Sequence, residues 1–285
     1  MTRKSAILLL SCPDKKGVVA TIAGFIYQHG GNILHADEHS DVDSGTFLMR
    51  VEFDPAEFDI PLNDFARPFG PIAGSFEMHW RLAQSDYRQR MAILVSKYDH
   101  CLVDLLYRHQ SGELTCDVPC IISNHADSQA IADFYRIPFF FVPVEKENKE
   151  AAERQIRSRL EHHKVDFLVL ARYMQILSDE MVHAYPTRII NIHHSFLPAF
   201  VGSKPYHQAF VRGVKLIGAT SHYVTEVLDD GPIIEQDVVR VSHRDSIEDL
   251  IQKGRDLEKV VLSRAVRWHI ENRVLVYGNK TVVFV

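Results

Sequence analysis

From Met91 onward, short apolar runs alternate with stretches of helical periodicity. Apolar runs of buried-strand type occupy residues 92–96, 119–123, 139–142, 167–171 and 189–192. Helical stretches lie between them, near residues 101–110, 127–136 and 146–163. Short wholly apolar strands are typical of sheets covered on both faces, and parallel strands need crossovers of this length. The alternation therefore predicts a mostly parallel, Rossmann-like α/β sheet with helices on both faces.

The remainder of this region continues in the same way. Residues 216–224 and 233–241 are predicted strands on either side of a loop that contains Asp229. A long helix is predicted over 245–272, and 274–285 is predicted as a hairpin around Gly278-Asn279, a dipeptide suited to a tight turn.

The first eighty or so residues have a different pattern, typical of a split βαβ unit. A strand at 6–10 precedes a helix whose apolar residues recur on one face, and Gly30-Gly31 ends that helix. The later segments are a hairpin of 33–40 and 46–53, a short or broken helix within 61–75, and a strand at 76–82. The order β-α-β-β-α-β predicts a ferredoxin-like domain over residues 1–84, a polar linker at 85–90 and a second domain over 91–285.

Composition limits the classes of partner. The chain has 285 residues, a net charge of −5 and no long Lys/Arg run, which argues against a nucleic-acid surface. It has no apolar stretch of membrane length and no signal-like N-terminus, so we expect a cytoplasmic protein without membrane contact. The four cysteines are irregularly spaced, which predicts buried thiols and no zinc site.

Polar residues follow the apolar run at 189–192 and point to a reactive site. Asn191, His193, His194 and Ser195 lie at its C-terminal end, where open α/β sheets place their ligands. An amide and an imidazole can stabilise the oxyanion of an attacked carbonyl, and Asp229 can move protons. This residue set predicts acyl chemistry. By side-chain alternation, only one of the two histidines should face the site.

Several motifs in this region resemble those of the folate-dependent formyltransferase family. They are Asn191-x-His193-x-Ser195-x-Leu197-Pro198, His207-Gln208-Ala209, the run from Gly218 to Val224, and Leu228-Asp229-x-Gly231-Pro232-Ile233-Ile234. Residues 6–83 resemble an ACT domain, a small-molecule-sensing module. Because the two resemblances cover nearly the whole chain, they imply a fused enzyme that hydrolyses 10-formyltetrahydrofolate to tetrahydrofolate and formate, supplying formate for purine biosynthesis and balancing one-carbon folate pools.

The resemblance implies particular roles. Asn191, His193 and Asp229 match the family's catalytic residues, although which of His193 and Asp229 carries each proton is left open. The segment from Leu170 to Leu177 matches the wall of the pterin pocket. The residues expected to bind the folate are Met174, Ile176, Leu177, His222 and Val224. The family uses folate as its substrate, so no cofactor and no metal are expected.

Water is the expected acceptor of the formyl group. The first strand of the second domain is followed by Ser96 to Cys101, a segment without the glycines that surround a phosphate, and its Asp99 would repel one. The alternatives are a formyltransferase that uses an amine acceptor and a catalytically silent folate- or amino-acid-binding regulator. A zinc site of His193, His194, His222 and Asp229 is a further alternative at the level of the site.

The ACT resemblance implies regulation. We expect glycine or methionine as an effector, bound near Asp14 and Gly17 at a helix start and near Asn32. The open strand edges of a small βαββαβ module also predict a homo-oligomer.

Overall fold

The computed structural model describes residues 4–198 and 205–285, and these divide into two compact units. One unit contains the chain up to Tyr87 together with Glu271–Tyr277 and Thr281–Val285. The other contains Arg88–Ile270 and Gly278–Lys280. None of the helices in the described parts of the chain combines the length and the apolar character needed to cross a membrane.

The first unit has the predicted β-α-β-β-α-β order. Its elements are β1 (Ala6–Pro13), α1 (Val18–Gln28), β2 (Asn32–Asp41), β3 (Thr46–Asp54), a 3₁₀ turn (Leu62–Asp64), α2 (Ala66–Ser75) and β4 (His79–Gln84). The sheet order is β2-β3-β1-β4, and all neighbours are antiparallel. Val18, Ile22 and Phe25 lie on one face of α1 and pack into the same apolar core as Phe69 of α2. The βαββαβ fold predicted for this region is confirmed.

A C-terminal hairpin also belongs to the first unit. It consists of β12 (Val274–Tyr277) and β13 (Lys280–Val283). The buried Arg50 of β3 donates from Nε to the backbone oxygen of Asn272, 3.0 Å away. The sequence predicted a single second domain over 91–285. In the structure, most of this hairpin belongs to the first unit instead. Strand β12 contacts β1, and these segments lie far apart in the sequence, so local periodicity does not encode their contact.

The second unit is built on a seven-stranded sheet. Its elements are β5 (Arg90–Val95), α3 (His100–Ser111), β6 (Asp117–Ser123), α4 (Gln129–Tyr135), β7 (Phe139–Phe141), α5 (Lys149–His162), β8 (Phe167–Ala171), α6 (Asp179–Ala184), β9 (Ile189–His193), α7 (Pro205–Arg212), β10 (Leu216–Tyr223), β11 (Ile233–Arg240) and α8 (Ile247–Ile270). The predicted strands and long helices are present. Helices α6 and α7 were not predicted, and the six residues of α6 are too few for a helical period to stand out.

The strand order of this sheet determines where a ligand can bind. The order is β11-β10-β9-β8-β5-β6-β7, in which β5 to β9 are mutually parallel, whereas β10 runs antiparallel to both β9 and β11. The chain leaves β5 toward β6 on one side and returns to β8 on the other. Open α/β sheets bind ligands beyond the carboxyl ends of strands at such a reversal. The four cysteines are free and buried, as predicted.

Candidate active site

Asn191 and His222 meet across two neighbouring strands. In the pairing of β9 with β10, Asn191 lies directly opposite His222, so their side chains emerge on the same face. Asn191 Nδ2 is 3.2 Å from His222 Nε2. The strand register therefore fixes the relative positions of an amide and an imidazole at the end of the sheet.

The loop between β10 and β11 adds Asp229 to this pair. Asp229 Oδ2 lies 3.2 Å from His193 Nδ1, and Asp229 Oδ1 lies 3.8 Å from His222 Nε2. The backbone of Asp229 is left-handed, with a φ of 58°, a conformation that is uncommon for residues other than glycine. A Cβ at Gly231 would overlap the backbone oxygen of Tyr223. A glycine two residues after Asp229 thus lets the loop approach β10 closely.

Hydrogen bonds determine the tautomer of His222. Its Nδ1 lies 2.9 Å from the backbone oxygen of Tyr223, an acceptor only, so Nδ1 carries a proton. Nε2 then accepts a hydrogen bond from the Asn191 amide, which fixes the orientation of that amide. Burial lowers the pKa of His222, because the charged imidazolium is poorly solvated there. His222 is therefore neutral near pH 7, and Asn191 retains a second N–H for a ligand.

Asp229 is held ionised. Burial of the carboxyl opposes ionisation, but the hydrogen bond from His193 and the nearby His193, His222 and His194 outweigh it and lower the pKa of Asp229. The opposite nitrogen of the imidazole, His193 Nε2, is buried and has no hydrogen-bond partner. The pair thus presents a carboxylate and an unpaired ring nitrogen, which suits proton transfer to a bound molecule.

A cavity of about 310 Å³ contains these groups. All five residues predicted to bind the folate line it, namely Met174, Ile176, Leu177, His222 and Val224. Met174 is 55% exposed and Ile176 is similarly exposed, although both are large apolar side chains. Apolar side chains left open around a few polar groups are typical of a small-molecule site. The structure brings the candidate catalytic and pocket residues to one place.

His193 and His194 do not occupy equivalent positions. His193 pairs with Asp229, whereas the ring of His194 lies 6.0 Å from the ring of Tyr206. Burial and the nearby Arg172 lower the pKa of His194 to about 4, so it is neutral at pH 7. Both histidines line the cavity, but only His193 contacts the carboxylate.

A buried polar cluster that was not predicted from the sequence lies next to this cavity. Glu258 of α8 is 1% exposed, and it pairs with His100 Nε2 at 2.8 Å and with Tyr206 Oη at 2.6 Å. Arg172, which lines the cavity, lies 3.5 Å from Glu258. A signal was present in the sequence, because Glu258 falls on the helix face of Leu250, Gly254, Val261 and Ala265, and a carboxylate at a core position needs partners.

Neither the cavity nor the cluster around Glu258 has a geometry that favours a metal ion. Within the described residues, three metal-binding side chains converge only at His100, Cys101 and Glu258. Glu258 of this group already pairs with His100 and lies beside the guanidinium of Arg172, whose positive charge opposes a metal cation there. The histidines and Asp229 of the cavity do not form such a group among these residues.

The three candidate effector residues do not form one site within a chain. Gly17 precedes the start of α1, with a left-handed φ of 94°, and Asp14 lies just before it. Asn32 begins β2, beyond the opposite end of α1. A helix of 11 residues is roughly 16 Å long, so a single small amino acid cannot contact both ends.

Comparisons with known proteins agree with this architecture. Residues 89–266 match the formyl transferase family and residues 6–62 match the ACT domain family. The formyltetrahydrofolate deformylase of Synechocystis sp. is 55% identical over all of both chains. The crystal structure of a formyltetrahydrofolate deformylase from Pseudomonas syringae pv. tomato is 51% identical, covers 100% of this chain and 95% of that one, and superposes with a TM-score of 0.97. Glycinamide ribonucleotide transformylase 1 from Symbiobacterium toebii is 31% identical, with a TM-score of 0.65 over 69% of this chain and 94% of its own.

Proposed function

This chain belongs to the formyltetrahydrofolate deformylase family and hydrolyses 10-formyltetrahydrofolate, and we propose that Asn191, His193 and Asp229 carry out the reaction. The observation that carries the proposal is the pairing of His193 Nδ1 with Asp229 Oδ2 while His193 Nε2 is buried without a partner. One nitrogen is oriented by the carboxylate, and the other is left for the substrate.

In the first step, a water oxygen attacks the formyl carbon. Asp229 takes a proton from this water through Oδ1, which is 3.8 Å from His222 and too distant for a good hydrogen bond to it. The carbonyl electrons move onto the formyl oxygen. Asn191 donates a hydrogen bond to this oxyanion from Nδ2, and His193 donates one from Nε2. One such donor lowers a barrier by about 3–4 kcal/mol in well-studied acyl-transfer enzymes.

In the second step, the tetrahedral intermediate collapses. The carbon–nitrogen bond breaks, its electron pair remains on the folate nitrogen, and the proton held by Asp229 passes to that nitrogen. The formic acid formed in the cavity loses its proton to water, and formate is the species that leaves. The products are tetrahydrofolate and formate, and Asp229 is again ionised. His193 and Asp229 act as a coupled pair in both steps.

The exposed apolar wall accounts for folate binding in this proposal. Met174 and Ile176 offer open apolar surface beside the polar groups, and the buried Leu177 lines the same cavity. A pterin has flat faces that can pack on apolar side chains and polar edges that backbone groups can pair. His222 and Val224 also line this cavity.

The proposed reaction uses no metal and no separate cofactor. Asn191 and His193 polarise the carbonyl and Asp229 activates water, so every role of a catalytic metal is already filled by a side chain. Arg172 already pairs with Glu258, so a metal cation at Glu258 would compete with the guanidinium for one carboxylate. This competition also supports a reaction without a metal.

The ACT unit is proposed to bind an amino acid, glycine or methionine, in a homo-oligomer. Asp14 and Gly17 are separated from Asn32 by the length of α1, so a complete site needs a second copy of the chain. The edge strand β2 is exposed along most of its length and includes Leu34, which is 40% exposed. An unpaired edge is a natural contact for another copy.

One assay tests the central proposal. Purified protein is given 10-formyltetrahydrofolate without any amine, and formate and tetrahydrofolate are quantified. We expect equal amounts of both, with one oxygen of the formate derived from ¹⁸O-labelled water. A strict requirement for an added amine would show that the chain is a formyltransferase instead.

A further inference from the structure

Arg172 is a buried cation with unused hydrogen-bond donors. It follows β8, has a left-handed φ of 63° and is 9% exposed. Its Nε and Nη1 atoms have no hydrogen-bond partner. Burying polar N–H groups without partners costs free energy, and strained backbone is found where function requires it. The two observations together indicate that a ligand completes this position.

The neighbours of Arg172 leave these donors available. Nη1 is 3.5 Å from Glu258 Oε2, an ion-pair distance but a long hydrogen bond. Both Glu258 oxygens have shorter bonds to other residues, Oε2 to His100 at 2.8 Å and Oε1 to Tyr206 at 2.6 Å. Gly254 leaves room for Tyr206 to reach Glu258, because a Cβ there would overlap the Tyr206 ring.

A second guanidinium group packs on the same tyrosine ring as Arg172. The guanidinium carbons of Arg172 and Arg255 lie 5.5 Å and 5.4 Å from the centre of the Tyr98 ring. Glu258 is ionised, because its hydrogen bonds to His100 and Tyr206 and the charge of Arg172 outweigh burial and lower its pKa. Glu258 thus faces the guanidinium of Arg172, and Cys101 and His194 are neutral.

Arg172 lines the same cavity as the proposed catalytic residues. Burial and nearby groups keep His194 and His222 neutral, so near pH 7 neither offers a positive charge to an anion. Among the described residues that line the cavity, Arg172 is the permanent cation. The hydrolysis converts a neutral formamide into an anion, and that anion forms within this cavity.

We propose that the guanidinium of Arg172 binds the carboxylate of the product formate, a role that deepens the proposed function and rests on it. A guanidinium suits a carboxylate in shape and charge. Formate on Arg172 would lie near His194, on which the charge of Arg172 acts.

Product inhibition by formate tests this assignment. Sodium formate is titrated into the hydrolysis reaction at constant ionic strength, maintained with sodium chloride, for the parent and three variants. Arg172→Met removes the charge and the donors at similar length, and Arg172→Lys keeps the charge. Glu258→Gln removes the opposing carboxylate but can still hydrogen-bond Tyr206.

We expect opposite effects from the two kinds of change. A hydrogen bond to a charged group contributes about 1.5–3 kcal/mol, so Arg172→Met should raise the formate inhibition constant about ten- to a hundredfold. Arg172→Lys should retain most of the inhibition, and Glu258→Gln should strengthen it. In Arg172→Met the formate inhibition constant should rise by a larger factor than the KM for 10-formyltetrahydrofolate.

Two results would overturn the assignment while leaving the hydrolase intact. One is a parent enzyme that releases formate but shows no saturable inhibition by it. The other is equal inhibition of the parent and Arg172→Met. If Arg172→Met fails to fold, the Glu258→Gln variant decides, because weaker or unchanged formate inhibition contradicts the proposal. A parent that releases no formate would instead contradict the proposed function.

Discussion

His193 Nδ1 and Asp229 Oδ2 lie 3.2 Å apart in a largely buried setting, although one residue ends a strand and the other lies on a loop beyond the next strand. The contact depends on the left-handed backbone of Asp229 and on Gly231, which lets the loop approach β10. The loop fixes the carboxylate against the imidazole before any ligand binds. Prepositioned groups lower a barrier because no reorganisation is needed during the reaction.

Replacing Asp229 should reduce turnover far more than binding. Asp229→Asn preserves size but removes the charge and the basic oxygen, so we expect kcat to fall by about 10²–10⁴-fold with little change in KM. Steady-state formate release measures both constants. Asp230→Asn changes an exposed neighbouring carboxylate and serves as the control. An Asp229→Asn enzyme within about threefold of the parent would remove Asp229 from the mechanism.

Acid should destabilise the protein through His194. Its pKa is lowered from 6.5 to about 4 in the folded state. Below pH 6.5 the unfolded chain gains a proton that the folded chain does not, so stability falls from about pH 6.5 to about pH 4. We expect this loss to be about 1–3 kcal/mol. Urea unfolding at several pH values measures it.

The variant His194→Asn should flatten that dependence. His222, whose pKa is also lowered, contributes in the same direction, so some slope should remain. An unchanged slope in His194→Asn would show that His194 titrates normally in the folded protein.

Charge at Met174 should impair folate binding without unfolding the protein. Met174→Leu conserves volume and should cost less than about 1.5 kcal/mol. Met174→Glu should raise KM for the folate sharply, because a charge would be desolvated against the pterin, while the melting temperature stays close to that of the parent. Phe134→Glu, at a position 76% exposed on α4, controls for added charge. A normal KM in folded Met174→Glu would exclude this residue from the pocket.

Glycine should be required at position 231. A Cβ there overlaps the Tyr223 backbone, so Gly231→Ala should lower the free energy of unfolding by about 2–4 kcal/mol and displace Asp229. Gly24→Ala, in α1 with open space around the position, should instead stabilise by about 0.5–1 kcal/mol. Chemical denaturation compares the two. Equal stability of both variants would contradict the close approach.

Assembly through the ACT unit should depend on β2. If copies meet along this edge, Leu34→Arg should lower the particle mass measured by light scattering and abolish any response of the hydrolysis rate to glycine or methionine. Tyr107→Arg on α3, also at an exposed position, is the matched substitution in the other unit. A monomeric parent, or a Leu34→Arg variant of unchanged mass and response, would contradict assembly at β2.

Much of the fold could be predicted from the sequence because periodicity records the local environment of each element. The apolar runs at 92–96 and 189–192 became β5 and β9, and the face of Val18, Ile22 and Phe25 became the buried side of α1. Short elements such as α6 have too few residues to display a period, and they were missed. The motifs also located Asn191, His193 and Asp229, since each is anchored to a strand end or a glycine turn.

The tertiary structure decided which of these groups meet and in which protonation state. The sequence by itself specified the two sheet patterns, the strand ends that carry the polar residues and the resemblance that named candidate roles. It did not indicate that the Asn191 amide hydrogen-bonds to His222, that His194 is neutral, or that the buried Glu258 pairs with His100 and Tyr206. Those outcomes depend on burial and on contacts between residues far apart in the chain. Local patterns do not encode the dielectric surroundings or the partners that the folded core supplies.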